Sequence, residues 1–527
     1  MIMRRNKLSL VLLAVAMVLV LAVPGCSPQK EPEPEGTPLS LVIDCEANRK
    51  DEAAAVAAQL RDIGIQAEVR IWEWSAMKAE FMAGNRQMYM TDWGSAYFDP
   101  FDLVIPKLRT GDRGNYSFYS NPEFDSVLDQ ATTATDDDTR KDLYYRAQEI
   151  LYEDVPWVFG YYLKETAAAS SKVGNWEVAM DSRINLHDVT LDGSDTITIG
   201  MGTDRIITLD PGNYRDRDTE TVIRNIFDAL FTRTWDGEVV LEIAESWETP
   251  DPQTYVVKIR DGVKFHNGQI LTVDDVVFTF ERVLAENGIG GMTSPRKGLL
   301  GPLTSVEKVD EKTVKFNLET PFPVFLQALC HFQIVPKAYI EEVGDEGFAA
   351  KPIGTGPYKL VEAKLDEQVV LERFDDYYGG SPDIPPIGPA SIKRAIFRMM
   401  PDPATRVASL KAGEIQIADK LPPDMAKSLQ GDAAIQVKSV PGTRVYAIEF
   451  CLTKPPFDDV RVRKALNYAI DWDAILNSIY EGHGERLATA FLPSGFGFNP
   501  DLKPYEYNPE KAVELLREAG IQAELTK

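Results

Sequence analysis

Cysteine and histidine are both scarce in this sequence. The chain has 527 residues but only 4 cysteines and 4 histidines. So few cysteines cannot form a disulfide framework for a protein of this size, and their spacing matches no metal-binding motif. The histidines are scattered singly along the chain, at positions 187, 266, 331 and 483. We therefore predict neither a disulfide scaffold nor a metal centre, and we expect no cofactor.

Basic residues are in deficit as well. There are 56 lysines and arginines against 81 aspartates and glutamates, which gives a net charge of −25 at pH 7. A surface of this sign repels nucleic acid and anionic lipid, so we expect no nucleic-acid partner. Hydrophobic residues make up 44% of the chain, as in an ordinary folded soluble protein, and the length predicts about three to four domain-sized units.

The short motifs that mark common enzymes are missing. The sequence has no G-x-S-x-G, no H-E-x-x-H and no phosphate-binding loop. Carboxylates are abundant, but no pair of them stands out from a solvated acidic surface. We therefore predict that the protein is not an enzyme.

One long apolar run stands near the N-terminus. Leu8–Val23 follows three basic residues and is short for a membrane span. Together with Cys26 just beyond it, the run resembles a bacterial lipoprotein signal, in which the leader is cut before a cysteine that becomes lipidated. The resemblance implies a signal peptide over residues 1–25 and a lipid on Cys26. A plain signal peptide and an uncleaved anchor are the alternatives, and all three imply export.

The segment after the leader is rich in proline and charge. Residues 26–38 have nothing apolar to bury, so we predict an extended tether between the membrane and the folded body. A lipidated Cys26 cannot form a disulfide. At least one of the remaining thiols is then free, and we expect all three to be small buried apolar residues: Cys45, Cys330 and Cys451.

The stretch 244–280 has the clearest local signals in the chain. Thr254–Ile259 is predicted to be a strand, and a second short strand, Val263–Phe265, follows a tight turn. Thr272 is placed to cap a helix. The apolar residues that this helix buries are Val276, Val277 and Phe280. Local chemistry alone thus predicts a hairpin that leads into a helix.

The same stretch resembles the signature of the peptide/nickel-type (family 5) extracytoplasmic solute-binding proteins of ABC importers. The matching residues are A-x-S-W at 244–247, R-x-G-V-K-F-H at 260–266 and T-x-x-D-V-x-F at 272–278. The resemblance implies an α/β, periplasmic-binding-protein-like type II fold, with two large lobes plus an extra small domain around a hinged cleft. In that family the signature lies early in the mature protein, whereas here a long segment precedes it.

The two parts of the chain match this family in swapped order. Residues 39–195 resemble its last third, for example in S-N-P-E-x-D at 120–125. Residues 196–527 resemble its first two-thirds, for example in G-T-G-P-Y at 354–358. Each motif occurs once. The resemblance therefore implies a circularly permuted member of the family.

Permutation predicts where the two ends of the folded body lie. The helix Glu510–Ala519 should abut the strand near Leu41 within one lobe, since permutation is tolerated where ends meet at the surface. A misassembled gene is an alternative explanation of the order. The similar sequences at 516–525 and 60–69 are either a relic of duplication or a chance product of similar local structure.

The resemblance also implies domain boundaries. They are a signal peptide over 1–25, a tether over 26–38, the second part of lobe III over 39–165, lobe I segments over 166–240 with the family's two ends joined near 195, lobe II over 241–345, lobe I continued over 346–440, and the first part of lobe III over 441–527.

An aromatic loop matches the family segment that lays its backbone along the ligand. It consists of Trp93, Gly94, Ser95, Ala96 and Tyr97. In peptide-binding members an aspartate three residues after the tryptophan pairs with the ligand's α-ammonium, and here that position is Ala96. A buried cation needs a partner charge. The resemblance thus implies that the usual recognition of a free peptide N-terminus is lost, with Asp99 of the nearby Asp-Pro turn as an alternative contact.

A second predicted contact segment follows a Leu-Asp-Pro sequence. It holds Tyr214, Arg215 and Arg217, and its arginines would suit a carboxylate or another anionic ligand group. Solvated surface charge is the alternative. Tyr446 matches a family aromatic that lines the cleft from the other lobe, with a core tyrosine as the alternative. His266 lies in the family's F-H-x-G turn and is predicted to be structural.

Taken together, the sequence predicts a lipid-anchored substrate-binding protein of an ABC importer. It would capture a small polar solute, a peptide or peptide-like molecule, by hinge closure. The implied partners are that ligand, the permease and ATPase subunits, and the membrane through the N-terminal lipid. We expect a monomer outside the cytoplasm, at the cell surface or in the periplasm. The alternatives are a ligand sensor of the same fold that signals to a membrane partner, and an extracytoplasmic hydrolase.

Overall fold

A computed structural model describes residues 36–526. The predicted signal peptide, the lipidated Cys26 and most of the predicted tether lie outside the described residues. Within them the chain forms a large mixed sheet and a four-stranded antiparallel sheet, together with two small two-stranded ribbons.

The strands, in chain order, have the following bounds. They are β1 (Ser40–Glu46), β2 (Gln66–Trp72), β3 (Met88–Gly94), β4 (Trp157–Ser170), β5 (Val173–Gly174), β6 (Thr190–Leu191), β7 (Thr196–Met201), β8 (Phe231–Arg233), β9 (Val239–Leu241), β10 (Ala244–Asp251), β11 (Thr254–Ile259), β12 (Leu303–Lys308), β13 (Thr313–Leu318), β14 (Tyr358–Lys364), β15 (Gln368–Arg373), β16 (Arg394–Met399), β17 (Ile417–Ala418), β18 (Ile435–Phe450) and β19 (Gly484–Arg486).

The helices alternate with these strands. They are α1 (Lys50–Asp62), α2 (Trp74–Met82), α3 (Pro100–Leu103), α4 (Ile105–Leu108), α5 (Pro122–Thr133), α6 (Asp137–Asp154), α7 (Arg217–Ile226), α8 (Val273–Leu284), α9 (Phe325–Leu329), α10 (Lys337–Ala350), α11 (Pro403–Ala412), α12 (Pro423–Lys427), α13 (Val460–Ala469), α14 (Trp472–Ile479) and α15 (Pro509–Glu518).

The large sheet has eleven strands and runs through most of the molecule. Its order is β14-β15-β16-β7-β17-β4-β18-β3-β1-β2, with β19 paired to β4. The pairs β1–β2, β1–β3 and β16–β7 are parallel, and strands of this kind are buried on both faces by helices. Ile43 at the centre of β1 and Ile199 in β7 are accordingly fully buried.

Two long strands connect the two halves of this sheet. β4 and β18 pair antiparallel from Ser170–Ile435 to Trp157–Glu449, with irregular register near Pro441. Their ends belong to different hydrophobic cores. Val158 packs with α1, α13 and α15, whereas Ala169 packs with β7 and α7. The loop that follows β3 therefore leaves the sheet between two separately packed bodies.

The four-stranded sheet forms a third core. Its order is β10-β11-β13-β12, and α8 packs on one face. The predicted cap of α8 is present as a capping box, in which Thr272 N donates to Asp275 Oδ2 at 2.9 Å. Val276 and Phe280 are buried as predicted, whereas Val277 is half-buried.

The first and last described segments lie side by side. Thr37 forms a parallel bridge with Ile521, and Thr37 N donates to Gly520 O at 3.0 Å. Further along, Glu524 N donates to Ile63 O at 3.2 Å. Leu41 and Ile521 share one hydrophobic core. The predicted neighbourhood of α15 and β1 is thus present in one body.

Some predicted elements differ from the observed ones. Val263–Phe265 is not a strand, because the chain turns again at once and only Lys264 bridges to Ile270. β4 begins only at Trp157, since Val155 adopts a left-handed conformation that ends α6. Cys45, Cys330 and Cys451 are free and buried, which confirms the prediction for the three thiols.

Among residues 36–526, no helix is both long enough and apolar enough to cross a membrane.

Candidate ligand-binding cleft

A cavity of about 720 Å³ lies between the large sheet and the four-stranded sheet. Its walls come from the segment after β3, from the start of α7, and from the loop before β12. The lining residues that the sequence predicted are Trp93, Gly94, Ala96, Tyr97, Arg215 and Arg217. The structure thus brings both predicted contact segments to one cavity. We call this cavity the cleft.

The aromatic loop of the cleft is held in place by Asp102. The Ser95 hydroxyl donates to Asp102 Oδ1 at 2.6 Å. The backbone N–H groups of Ala96 and Tyr97 donate to Asp102 Oδ2 at 2.5 and 3.1 Å. Burial raises the pKa of Asp102 to about 6. One carboxylate therefore fixes three successive residues of the loop.

Contacts from the other cores hold the opposite side of the loop. Arg233 Nη1 donates to Ala96 O at 2.6 Å. Arg217 Nη2 donates to Ser95 O at 3.1 Å, and the Tyr97 hydroxyl donates to Leu299 O. The N–H and C=O groups of Ala96 are both bonded within the protein. They are consequently not free for the ligand backbone contact that the family resemblance implied.

A histidine links this loop to α7. His331 Nδ1 lies 2.8 Å from Glu220 Oε1, and its Nε2 lies 2.8 Å from Arg233 Nη2. Burial lowers the pKa of His331 to about 4. A neutral imidazole with its proton on Nδ1 satisfies both contacts, because it donates to Glu220 and accepts from Arg233.

Three predicted contacts do not line the cleft. Ser95 is 1% exposed, because its hydroxyl is bonded to Asp102. Tyr214 is 2% exposed and lies beneath Arg296, whose guanidinium carbon is 4.0 Å from the ring centroid. Tyr446 stacks on Tyr161 at 5.2 Å in the core that contains α1, as the core alternative predicted.

Two further candidates are structural. Asp99 is 3% exposed, caps α3 through Phe101 N, and pairs with Arg140 at 2.7 Å. It therefore does not replace the missing aspartate at position 96. His266 lies 3.0 Å from Gly356 O through Nε2 and accepts from Gly354 N at 3.2 Å. These contacts confirm a structural role for His266.

The structure adds cleft residues that the sequence analysis missed. Asp102, Arg113, Arg296 and His331 all line the cavity. Asp102 follows the aromatic loop closely, so its nearness in sequence was an available signal. Arg296 and His331 come from the core of the four-stranded sheet, and no local pattern distinguishes them from other charged or polar residues.

A second cavity, of about 840 Å³, lies beside the cleft. It is enclosed by the loops at 175–191 and 377–391 and by the β8–β9 hairpin. Asp228 and Glu242 line it. Burial, and then the charge of Glu242, raise the pKa of Asp228 well above its usual range. Burial raises the pKa of Glu242 to about 7.

A family model matches the larger part of the chain. Residues 238–527 match the model described as "Bacterial extracellular solute-binding proteins, family 5 Middle". The chain is 35% identical over 306 residues to the dipeptide-binding protein of Escherichia coli (strain K12), an alignment that covers 54% of this chain and 56% of that protein. It is 33% identical over 318 residues to the glutathione-binding protein GsiB of Pectobacterium atrosepticum, covering 59% of each.

Solved structures agree with this assignment. HbpA2 from Haemophilus parasuis matches with a TM-score of 0.54 and 31% identity, over 62% of this chain and 67% of that one. The periplasmic binding protein DppA from Helicobacter pylori, in complex with the peptide STSA, matches with a TM-score of 0.52 and 28% identity, over 62% and 66%. The chain spans little more than half the length of the curated relatives it matches. Its mixed α/β fold is that of periplasmic binding proteins, and the chain belongs to family 5 of the bacterial extracellular solute-binding proteins.

Proposed function

We propose that this protein is the substrate-binding component of an ABC importer and that it captures a small polar solute, a peptide or peptide-like molecule. The observation that carries the proposal is the cleft. Its walls come from the segment after β3, from the start of α7 and from the loop before β12, and its aromatic loop is bonded by Arg217 of α7 and by Arg233 of β8. A site of this kind opens and closes when the cores move as bodies about the two long strands β4 and β18. The names of the relatives, which include dipeptide-binding and glutathione-binding proteins, support the solute class.

The binding step is tested with the purified protein and a ligand panel. Pools of di- to tetrapeptides, sugars, amines and nickel chelates are added separately, and the melting temperature is recorded. At least one pool should raise it, because a ligand that binds only the folded state stabilises that state. Native mass spectrometry of the untreated protein provides a second readout, since a tight ligand stays in a closed cleft. A folded protein that is silent in both measurements would contradict the proposal.

Membrane attachment rests on Cys26, which lies outside the described residues. We propose that this thiol carries the lipid and that the described body stands off the membrane on the tether. Expression in a bacterial host with radiolabelled palmitate should label the full-length protein. A Cys26→Ser variant should be unlabelled and recovered in the soluble extracytoplasmic fraction. Equal labelling of both proteins would contradict the assignment.

We also propose that the order of segments is a circular permutation of the family order. The contacts of Thr37 with Gly520 and Ile521 support this, because they bring together the two ends that permutation would have opened. The test is a reordered gene in which 196–526 precedes 36–195, joined by a short glycine-serine linker. It should fold with an unchanged melting temperature and ligand preference. A reordered protein that aggregates would contradict this explanation.

A further inference from the structure

Arg113, Arg215 and Arg296 all line the cleft. Across residues 36–526, no carboxylate oxygen lies within ion-pair distance of any of the three. Instead, Arg215 Nη1 donates to Pro295 O at 3.1 Å. The Arg113 guanidinium lies over the Trp93 ring, 5.1 Å from its centroid. The direct partners of Arg113 and Arg215 named here are therefore neutral groups, although Asp102 lies within electrostatic reach of Arg215.

Arg296 is the most confined of the three. It is 1% exposed, its Nη2 donates to His331 O at 2.5 Å, and its Nε is buried without a partner. A buried charge that lacks a counter-ion is costly. Arg215 is more exposed than Arg296, yet its pKa is lowered, first by desolvation and then by the positive charges of Arg296 and Arg113. The charge on Arg215 is thus disfavoured by its two cationic neighbours.

The acidic residues of the cleft are already in use. Asp102 accepts from three donors of the aromatic loop. Asp218 pairs with Lys420, and Glu220 pairs with Arg224 at 3.0 Å. Asp112 pairs with Arg109, and Asp181 pairs with Arg183. Asp216 caps α7 through Oδ1, and its Oδ2 is buried without a partner. None of them forms an ion pair with the three arginines within the described residues.

We infer that the solute carries a carboxylate that binds between Arg215 and Arg296, with Arg113 closing over it from the Trp93 side. This rests on the proposed function, and it states which end of the solute is recognised. The planar guanidinium fork matches a carboxylate with two parallel hydrogen bonds. The amino end of a peptide finds no comparable binding site at position 96, because this residue is an alanine whose backbone groups are bonded within the protein. The protein should therefore select a carboxylate and ignore an amino terminus.

Peptide pools with blocked ends test this polarity. The probes are one pool of di- to tetrapeptides with free ends, the same pool acetylated at the amino end, and the same pool amidated at the carboxyl end. The free and acetylated pools should raise the melting temperature of the full chain equally, and the amidated pool should not. Equal shifts with the amidated pool would overturn the inference and leave the proposed function standing. Silence with all peptide pools and with every other pool of the panel would overturn both.

Small anions separate a carboxylate from other acids. Succinate and inorganic phosphate are added alone at the same concentration. A guanidinium fork binds either anion, so succinate should raise the melting temperature at least as much as phosphate does. A shift with phosphate and none with succinate or the free peptides would overturn the assignment to a carboxylate.

Variants then locate the subsite. Arg215→Gln should weaken binding of the free peptide pool at least tenfold, and Arg215→Lys should restore part of the loss. The matched control is Arg146→Gln, which removes the same charge from an exposed site on α6 where Arg146 pairs with Glu123. Arg113→Gln provides a second test at an exposed position. Unchanged affinity in both Arg215→Gln and Arg113→Gln would overturn the inference.

Discussion

The cleft and the second cavity are neighbours, yet they differ in the groups that lack an ion-pair partner. The cleft contains Arg215 and Arg296, which have no carboxylate partner among the described residues. The second cavity contains the carboxyl groups of Asp228 and Glu242, which form no ion pair in the same part of the chain. The second cavity also contains the buried Arg233, which forms no ion pair within residues 36–526, so it is the carboxyl groups that distinguish the two cavities.

The two kinds of group respond differently to burial. A carboxyl group can take up a proton, and burial favours this here, because it raises the pKa of Asp228 well above its usual range and that of Glu242 to about 7. A guanidinium group keeps its proton in proteins. The carboxyl groups of the second cavity can therefore lose their charge by protonation, whereas Arg215 and Arg296 of the cleft stay charged and attract an anion from outside. This difference is the physical reason to place the solute in the cleft although the second cavity is larger.

Removing the carboxylate of Asp102, which holds the aromatic loop of the cleft, should cause the largest loss of stability. In Asp102→Asn one oxygen must serve three donors, and the new amide N–H groups face other donors. We expect the free energy of unfolding to fall by about 2 to 4 kcal/mol. Urea unfolding at pH 7 measures it. The control Asp112→Asn removes only a half-exposed ion pair and should cost less than about 1 kcal/mol. Equal losses would show that Asp102 does not organise the loop.

Glu242→Gln tests whether the carboxyl group of Glu242 in the second cavity is protonated near neutral pH. The folded-state pKa of Glu242 is raised to about 7 from 4.5, so the folded protein binds more protons than the unfolded chain between these values. Stability is therefore lost as pH rises through this window, and glutamine should remove that loss. We expect the variant to be more stable than the wild type by about 1 to 3 kcal/mol at pH 8 and equal to it at pH 4. Glu238→Gln, at an exposed position of the same cavity, is the control. A gain of the same size at both pH values would exclude this mechanism.

Two histidines extend the comparison, since His331 lines the cleft and His187 lines the second cavity. Burial lowers the pKa of both, to about 4 for His331. The unfolded chain then takes up protons that the folded protein does not, so stability falls as pH drops below about 6.5. Between pH 7 and pH 5, His331→Gln should lose about 1 to 2 kcal/mol less than the wild type. His187→Gln should show a smaller difference. Identical slopes in urea unfolding for all three proteins would contradict this prediction.

Local sequence patterns were enough to predict much of the fold. The strand Thr254–Ile259 was predicted with its observed bounds, and Thr272 caps α8 as its residue type indicates. The aromatic loop was also placed correctly beside Arg215 in one cavity. The strand and the helix cap depend on residues that are near in sequence. The aromatic loop was recognised from a short motif of the family.

The rest of the site depends on contacts that no local pattern contains. Arg215 and Arg217 are alike in sequence, yet Arg217 is bonded to Ser95 O and Thr443 Oγ1 while Arg215 is left without an acid. Arg296 reaches the cleft only because the four-stranded sheet packs against the other two cores. Tyr446 lies on the face of β18 that packs against Tyr161, and which face meets which core is decided by the tertiary packing.

The smallest predicted effect is a change in tryptophan fluorescence, which reports which of the two cavities binds the solute. Trp93 lines the cleft, whereas Trp235 lines the second cavity and is 55% exposed. Addition of the free peptide pool should produce a small change in tryptophan emission. The change should disappear in Trp93→Phe and persist in Trp235→Phe, because only the environment of Trp93 changes when an anion binds beside Arg113. The reverse pattern would place the solute in the second cavity, and the unpaired arginines of the cleft would then need a different explanation.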